Sequence, residues 1–287
     1  MARQNLNEQV EMTFLDHLEV LRWHLMRAVL AVVLLAIVVF LFSDYIFEEI
    51  IFAPKDAAFW TNRMLCEAGA LMSKGLAWLS ITVSPALLCI NTEPLEIYNI
   101  NMAGQFSTHI RISLLLGLVL AFPYVFWEMW RFIKPALYDK EVKHSRGAIF
   151  YTSGLFMAGV LFGYYLITPL TIHFLGSYQV SSSVANEINL NSYISTLSSV
   201  VLAAGIVFEL PVMVYFLAKI GLVSAEFLRK YRRHSIIVIL LLSAIITPPD
   251  VFSQLLVGIP LVILYEVSIK ITRRIERKRM LEAEGLT

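Results

Sequence analysis

Charged residues are scarce in this chain. They fill 16% of its 287 positions, while 58% are hydrophobic; soluble domains carry about a quarter of their residues as charges. That balance excludes an ordinary water-soluble globule and points to an integral membrane protein of one helical domain. Net charge is only +1, so no global basic field exists to hold nucleic acid. Cysteine is nearly absent, with Cys66 and Cys89 the two present. There is no CxxC, HExxH or GxSxG, and no GxxxxGK followed by Ser or Thr, so the common metal, serine-nucleophile and P-loop signatures are missing. No metal or cofactor is expected. A cleavable leader is not expected either. About two dozen mixed-charge residues precede the first apolar run, and no small-residue cleavage pattern follows it.

Long apolar runs are what the chain has in quantity. Six stand out: Leu25–Phe42, Ile112–Trp130, Ala148–Leu170, Leu197–Leu217, Ile236–Ile246 and Val251–Ile271. A spanning helix needs about 20 residues. The fifth run has 11 residues, about 17 Å of helix. The sixth is cleanly apolar only over Leu255–Tyr265. The two are joined by "TPPD", residues 247–250, a tight turn. Two readings of this hairpin stand side by side: helices lengthened by polar flanks, or spans that thin the membrane beside them.

Lys and Arg set the orientation. Arg131, Lys134, Lys140, Lys143 and Arg146 lie between the second and third runs, and Lys219, Arg229, Lys230, Arg232 and Arg233 between the fourth and fifth. Lys270, Arg273, Arg274, Arg277, Lys278 and Arg279 crowd the carboxyl-terminal segment. Residues 171–196 have neither Lys nor Arg. Six spans then put both termini in the cytoplasm, with residues 1–24 as an amphipathic amino-terminal helix and 273–287 as a cytoplasmic tail. Residues 43–111 form a long external loop that holds both cysteines. On that side a Cys66–Cys89 disulfide and two free thiols are equally open. The loop is unusually apolar, and it is expected to pack on the membrane or cap the bundle.

One acid breaks the pattern. Glu209 stands inside "VLAAGIVFELPVMVYFLAKIG", residues 201–221. It precedes Lys219 by 10 residues, which places it about 15 Å from the cytoplasmic end, near the midplane. A charge there costs at least about 2.5–3.5 kcal/mol, so Glu209 is expected to face protein or a wet cavity. Pro211 cannot donate to the carbonyl of Val207, so the helix should bend and expose a polar backbone group. Elsewhere, Phe14, Leu18, Leu21 and Leu25 recur at helical spacing, with Asp16, Glu19 and Arg22 on the polar side. Asp139 and Glu141 sit among five cations in "WRFIKPALYDKEVKHSR". Carboxylates there either balance charge or pair with incoming guanidinium groups.

"HLEVLR", "FIKPALYDKE", "FELPV" and "LRKYRRHSIIVILLLSAIITPPDVFSQ", in that order on a six-span frame, resemble one family: TatC, the C subunit of the twin-arginine protein translocase. The similarity covers Phe14 to Thr272. It implies an all-α, glove-shaped bundle of six transmembrane helices in the bacterial inner membrane, helices five and six short. It implies no enzyme chemistry. Such proteins recognise paired arginines in the signal peptides of folded cargo, assemble with TatA- and TatB-type single-span partners and with further copies of themselves, and use the proton-motive force. By the same resemblance, Glu141 matches one arginine-recognising carboxylate and Phe132 an aromatic of that surface. Glu209 matches the family's intramembrane acid, while Thr247 and Gln254 match contacts to a partner helix. The family's amino-terminal motif reads H-L-x-E-L-R, whereas this chain has Val20 at the acid's place. Glu19, about 100° round the helix, or Asp16, one turn below, is expected to replace it. A proton-coupled small-solute transporter using Glu209 beside Pro211 is the rival reading.

Overall fold

The computed structural model describes residues 14–77, 88–92, 95–133, 145–181, 183–184, 186–247 and 251–283. Helix α1 runs over Phe14–Leu41, merging the amphipathic amino-terminal segment with the first span. After it come α2 (Ser43–Tyr45), a π-helical turn (Ile46–Ile51), a 3-10 turn (Ala53–Lys55) and α3 (Trp60–Ala77). Strand β1 (Ile97–Tyr98) leads to α4 (Gly104–Ile133). Helix α5 (Ser145–Phe162) passes through a π-helical turn (Gly163–Ile167) into α6 (Thr168–Ser177). Strand β2 (Ile188–Asn189) pairs in parallel with β1, Ile97 opposite Ile188. The chain continues through α7 (Leu190–Phe208), α8 (Leu210–Lys219), α9 (Ala225–Lys230), α10 (Arg232–Ile246) and α11 (Val251–Ala283).

Among the described residues, five helical stretches are long and apolar enough to span a bilayer: Leu18–Leu41, Gly104–Phe132, Ile149–Ser177, Leu190–Lys219 and Gln254–Leu281. The remaining apolar helix, α10, has 15 residues, about 22 Å of rise, and is the short one the sequence predicts. The sixth is short only in its apolar part. As a helix, α11 reaches Ala283 because Arg, Lys, Glu, Met, Leu and Ala are all good helix formers. Helix α4 likewise begins at Gly104, not Ile112. The polar residues at its start keep their hydroxyls satisfied inside the helix, Thr108 and Ser107 donating to the Gly104 carbonyl at 2.9 and 3.0 Å.

The core forms two clusters. The larger joins α1, α4, α5 and α7 around Ile112, Val119, Phe156, Ile194 and Val201. The smaller joins α7, α10 and α11 around Val200, Ala204, Ile239, Val257 and Leu261. Helices α5 and α7 meet at glycines. A Cβ on Gly159 would stand 2.7 Å from the Ala204 carbonyl oxygen, and one on Gly163 2.9 Å from the Ala204 side chain. Close backbone approach of this kind replaces the missing hydrophobic drive between helices in lipid. Helix α1 lies outermost, with only 11% of its apolar window buried and Leu25, Leu30, Leu34 and Ile37 facing outward.

The segment between α1 and α4 caps one end of the bundle. The Tyr164 and Tyr193 hydroxyls donate to the Ile50 and Ile51 carbonyls, both at 2.7 Å. Asn91 Nδ2 donates to the carbonyls of Pro54 and Pro169 at 3.2 and 3.3 Å. Cys66 and Cys89 are joined by a disulfide, their Cα atoms 4.1 Å apart. The cap is therefore bonded both to itself and to the helix ends beneath it.

Candidate functional site

Pro211 interrupts the fourth span as its chemistry requires. Helix α7 ends at Phe208, and α8 restarts at Leu210. Glu209 sits between them with φ −76° and ψ −7°, tighter than α-helix, its N–H donating to the Ile206 carbonyl at 3.1 Å. Its own carbonyl accepts from Val212 and Met213 N–H, both at 3.0 Å, so the chain resumes at once. The break turns the Glu209 side chain toward a cavity of about 340 Å³ lined by α4, α5 and α8.

That cavity is mostly apolar, with Phe122, Phe126, Met129, Met213 and Phe216 in its wall. Three buried polar atoms on it have no hydrogen-bond partner among the described residues: Glu209 Oε1, Trp130 Nε1 and Thr152 Oγ1. Buried polar groups are nearly always paired. Here an indole that can only donate, a hydroxyl that does either and a carboxyl oxygen stand unsatisfied in one small space. The arrangement suits a polar group brought in from outside, framed by aromatic and methionine side chains.

A second acid lies on α4, nearer its carboxyl-terminal end. Glu128 is 1% exposed. Its Oε2 meets His24 Nδ1 of α1 at 2.5 Å, and its Oε1 accepts from the Tyr124 hydroxyl at 2.9 Å. Arg131, one turn on, stands 3.8 Å from Oε1 and lies over the Trp127 ring. A carboxylate only accepts, so His24 donates through Nδ1. The cluster ties α1 to α4 at the level of Phe132, whose ring lies edge-on to His24 at 6.3 Å.

Of the sequence-predicted residues, Glu19 is exposed on α1 and Val20 half-buried. Asp16 is within α1, its side chain outside the described residues, as is all of Glu141. Phe132 is half-buried at the end of α4, beside the His24–Glu128 cluster. Thr247 and Gln254 turn inward. The Thr247 hydroxyl donates to the Ser243 carbonyl at 2.7 Å, and Gln254 Nε2 to the Leu240 carbonyl at 3.2 Å. The surface beside them is apolar, with Leu241 and Ile245 exposed. The sequence reading passed over Glu128, His24, Trp130 and Thr152. The available signal was Glu128 at i+4 from Tyr124 and i−3 from Arg131, the spacing of neighbours on one helix face.

The family model "Sec-independent protein translocase protein (TatC)" matches residues 16–260. The chain belongs to the TatC family. A Blattabacterium TatC is 40% identical over 273 residues, 95% of this chain and 99% of that one. An Aquifex aeolicus TatC is 33% identical over 269 residues, 93% and 98% of the two chains. A crystal structure of the twin-arginine translocase receptor TatC superposes with a TM-score of 0.61 at 30% identity, covering 91% of this chain and 99% of that one. As a TatC-family member, this is a predominantly helical, multi-pass protein of the bacterial inner membrane. The Glu209 break and the His24–Glu128 cluster are thus features of a TatC-type bundle.

Proposed function

We propose that this chain is the receptor and core subunit of a twin-arginine translocase. It binds twin-arginine signal peptides of folded proteins at its cytoplasmic face. With TatA- and TatB-type single-span partners and further copies of itself, it supports export driven by the proton-motive force, without catalysing a reaction. Supporting this reading are the family match and the likeness to a solved twin-arginine translocase receptor. The observation that carries it is the family match over residues 16–260; the Glu209 notch, a carboxyl with an unpartnered oxygen in a cavity that also holds an unpartnered indole and hydroxyl, supplies its docking point.

In this reading both termini and the basic loops are cytoplasmic, and residues 43–111 lie outside, within a glove-shaped bundle of six spans. Glu141 and one of Glu19 or Asp16, beside Phe132, recognise the arginine pair by charge-assisted hydrogen bonds. Glu209, at the break made by Pro211, is a polar docking point for an inserted signal peptide or partner helix. Thr247 and Gln254, at the facing ends of α10 and α11, mark where a single-span partner helix makes contact.

The test separates recognition from transport. Twin-arginine peptide binding and export of folded cargo are measured for Glu141→Gln, Glu19→Gln, Asp16→Asn and Glu209→Ala. Glu141→Gln and one amino-terminal variant should weaken peptide binding, whereas Glu209→Ala should bind peptide and fail in export. Equal loss of binding in Glu209→Ala and Glu141→Gln would overturn this division. Export of folded twin-arginine cargo that continues without the chain would overturn the translocase reading and favour a solute transporter built on Glu209.

A further inference from the structure

The carboxyl-terminal part of α11 carries four cations on one face. Lys270, Arg273, Arg274 and Arg277 follow an i, i+3, i+4, i+7 spacing and line one wall of a groove of about 900 Å³. Arg229 of α9 lines the other wall. Glu226 and Glu276 also line it, so five cations against two carboxylates leave +3. Glu276 is committed elsewhere, its Oε1 accepting from the Ala225 N–H at 2.8 Å and so fixing α9 against α11. Tyr265 makes a second tie, its hydroxyl donating to the Leu228 carbonyl at 2.7 Å. The groove is thus held open by hydrogen bonds, not by ion pairs across it.

Among the described residues, none of the five cations has an ion-pair partner. The contrast is local, since Arg232 meets Glu266 of α11 at 2.5 Å only one turn upstream. Like charges at i, i+3 and i+4 destabilise a helix. A four-cation stripe facing a fifth cation is therefore stabilised by a counter-anion. Depth says which. Ile263 and Val267 are exposed apolar residues on the same helix; Lys270, Arg273 and Arg274 lie about 4.5, 9 and 10.5 Å beyond Val267, and their long side chains reach back along the helix toward it. Headgroups occupy about 5–8 Å beyond each face of the hydrocarbon. The anion concentrated at that depth is the phosphate of membrane lipid, which basic clusters beside a span attract.

We propose that the groove between α9 and α11 binds the phosphodiester headgroup of an anionic membrane lipid. Arg273, Arg274 and Arg277 pair with the phosphate oxygens, and Arg229 closes the site from α9. The site is independent of arginine-pair recognition and of the Glu209 cavity, so it stands or falls separately from either.

The experiment is native mass spectrometry of the full chain in an uncharged detergent, titrated with phosphatidylglycerol or phosphatidylcholine. The chain should retain phosphatidylglycerol at about tenfold higher occupancy than phosphatidylcholine. The triple variant Arg273→Gln, Arg274→Gln, Arg277→Gln should fall to the phosphatidylcholine level, while Lys230→Gln, outside the groove, should match the parent. Glu226→Gln removes a competing charge and should raise retention, a gain that unfolding cannot imitate. Equal retention of the two lipids overturns the proposal, as does undiminished phosphatidylglycerol on a folded triple variant. If the triple variant aggregates, unchanged or weaker retention in Glu226→Gln overturns it. Inorganic phosphate is the last arm. Full displacement of lipid by millimolar phosphate would make this a free-phosphate site and overturn the lipid assignment.

Discussion

Glu128 and Glu209 are both acids on membrane-spanning helices, and the fold treats them in opposite ways. Glu128 sits in the unbroken carboxyl-terminal part of α4, nearly sealed, with His24, Tyr124 and Arg131 on its two oxygens. Glu209 sits at a helix break, and one of its oxygens meets no partner. The first acid has both oxygens partnered within the fold, while the second keeps one oxygen unpartnered among the described residues. Burial of a carboxyl therefore does not by itself single out a candidate site; unmet hydrogen-bonding capacity facing a cavity is what distinguishes Glu209.

The hardest test of this contrast is removal of each acid. Glu128→Ala leaves a half-buried His24 nitrogen unpaired and cuts the tie between α1 and α4. It should cost about 3 kcal/mol, as breaking a buried pair from one side does, and lower the melting temperature of the detergent-solubilised chain. Glu209→Ala removes a group that has little to lose. It should shift stability by less than about 1 kcal/mol while reducing export of folded twin-arginine cargo at least tenfold. If Glu209→Ala proved the less stable of the two, the comparison would be wrong at its root.

How much of this was legible beforehand differs between the same two residues. Glu209 could be read from the chain because it interrupts an unbroken apolar run, two residues before a proline. Glu128 could not, because it lies near a helix end with Arg131 one turn on, where charges are ordinary. Its main partner, His24, is 104 residues away, and no local pattern reports a contact of that range. The spans were legible as apolar runs, but their ends were not. Gly104 and Ala283 extend α4 and α11 through polar residues whose helicity comes from hydrogen bonding and propensity rather than hydropathy. The π-helical turn at Gly163–Ile167 lies where Gly163 meets Ala204 of α7, a tertiary contact that local sequence does not carry. The cysteine pairing stayed open for the same reason.

A smaller effect sharpens the claim about Glu128. Replacing both members of a buried ionic pair with apolar residues is often neutral or stabilising. The double variant His24→Leu, Glu128→Leu should therefore recover most of the stability that Glu128→Ala loses, ending within about 1 kcal/mol of the parent. Arg131 is half-exposed and keeps its place over Trp127, and Tyr124 reaches solvent, so neither is stranded. Thermal unfolding of the single and double variants checks this. A double variant as unstable as Glu128→Ala would mean that the charge itself, not the contact between helices, holds α1 in place.

The smallest expected effect is the most discriminating for Glu209. Trp130→Phe keeps an aromatic ring in the cavity wall and deletes one N–H that has no partner. If that N–H were structural, its loss would cost about 1 kcal/mol, the net worth of an ordinary hydrogen bond. Because it is unpaired, deleting it should add less than about 0.5 kcal/mol to the packing loss of the smaller ring, or offset part of that loss, since an unsatisfied buried donor is itself a penalty. Export should nevertheless fall about two- to tenfold, the loss of one hydrogen bond to an incoming polar group. Stability and export thus move independently only if the cavity receives something. If export matched the parent in Trp130→Phe and in Thr152→Val alike, the unpartnered atoms around Glu209 would not form a docking point, and the acid would act alone.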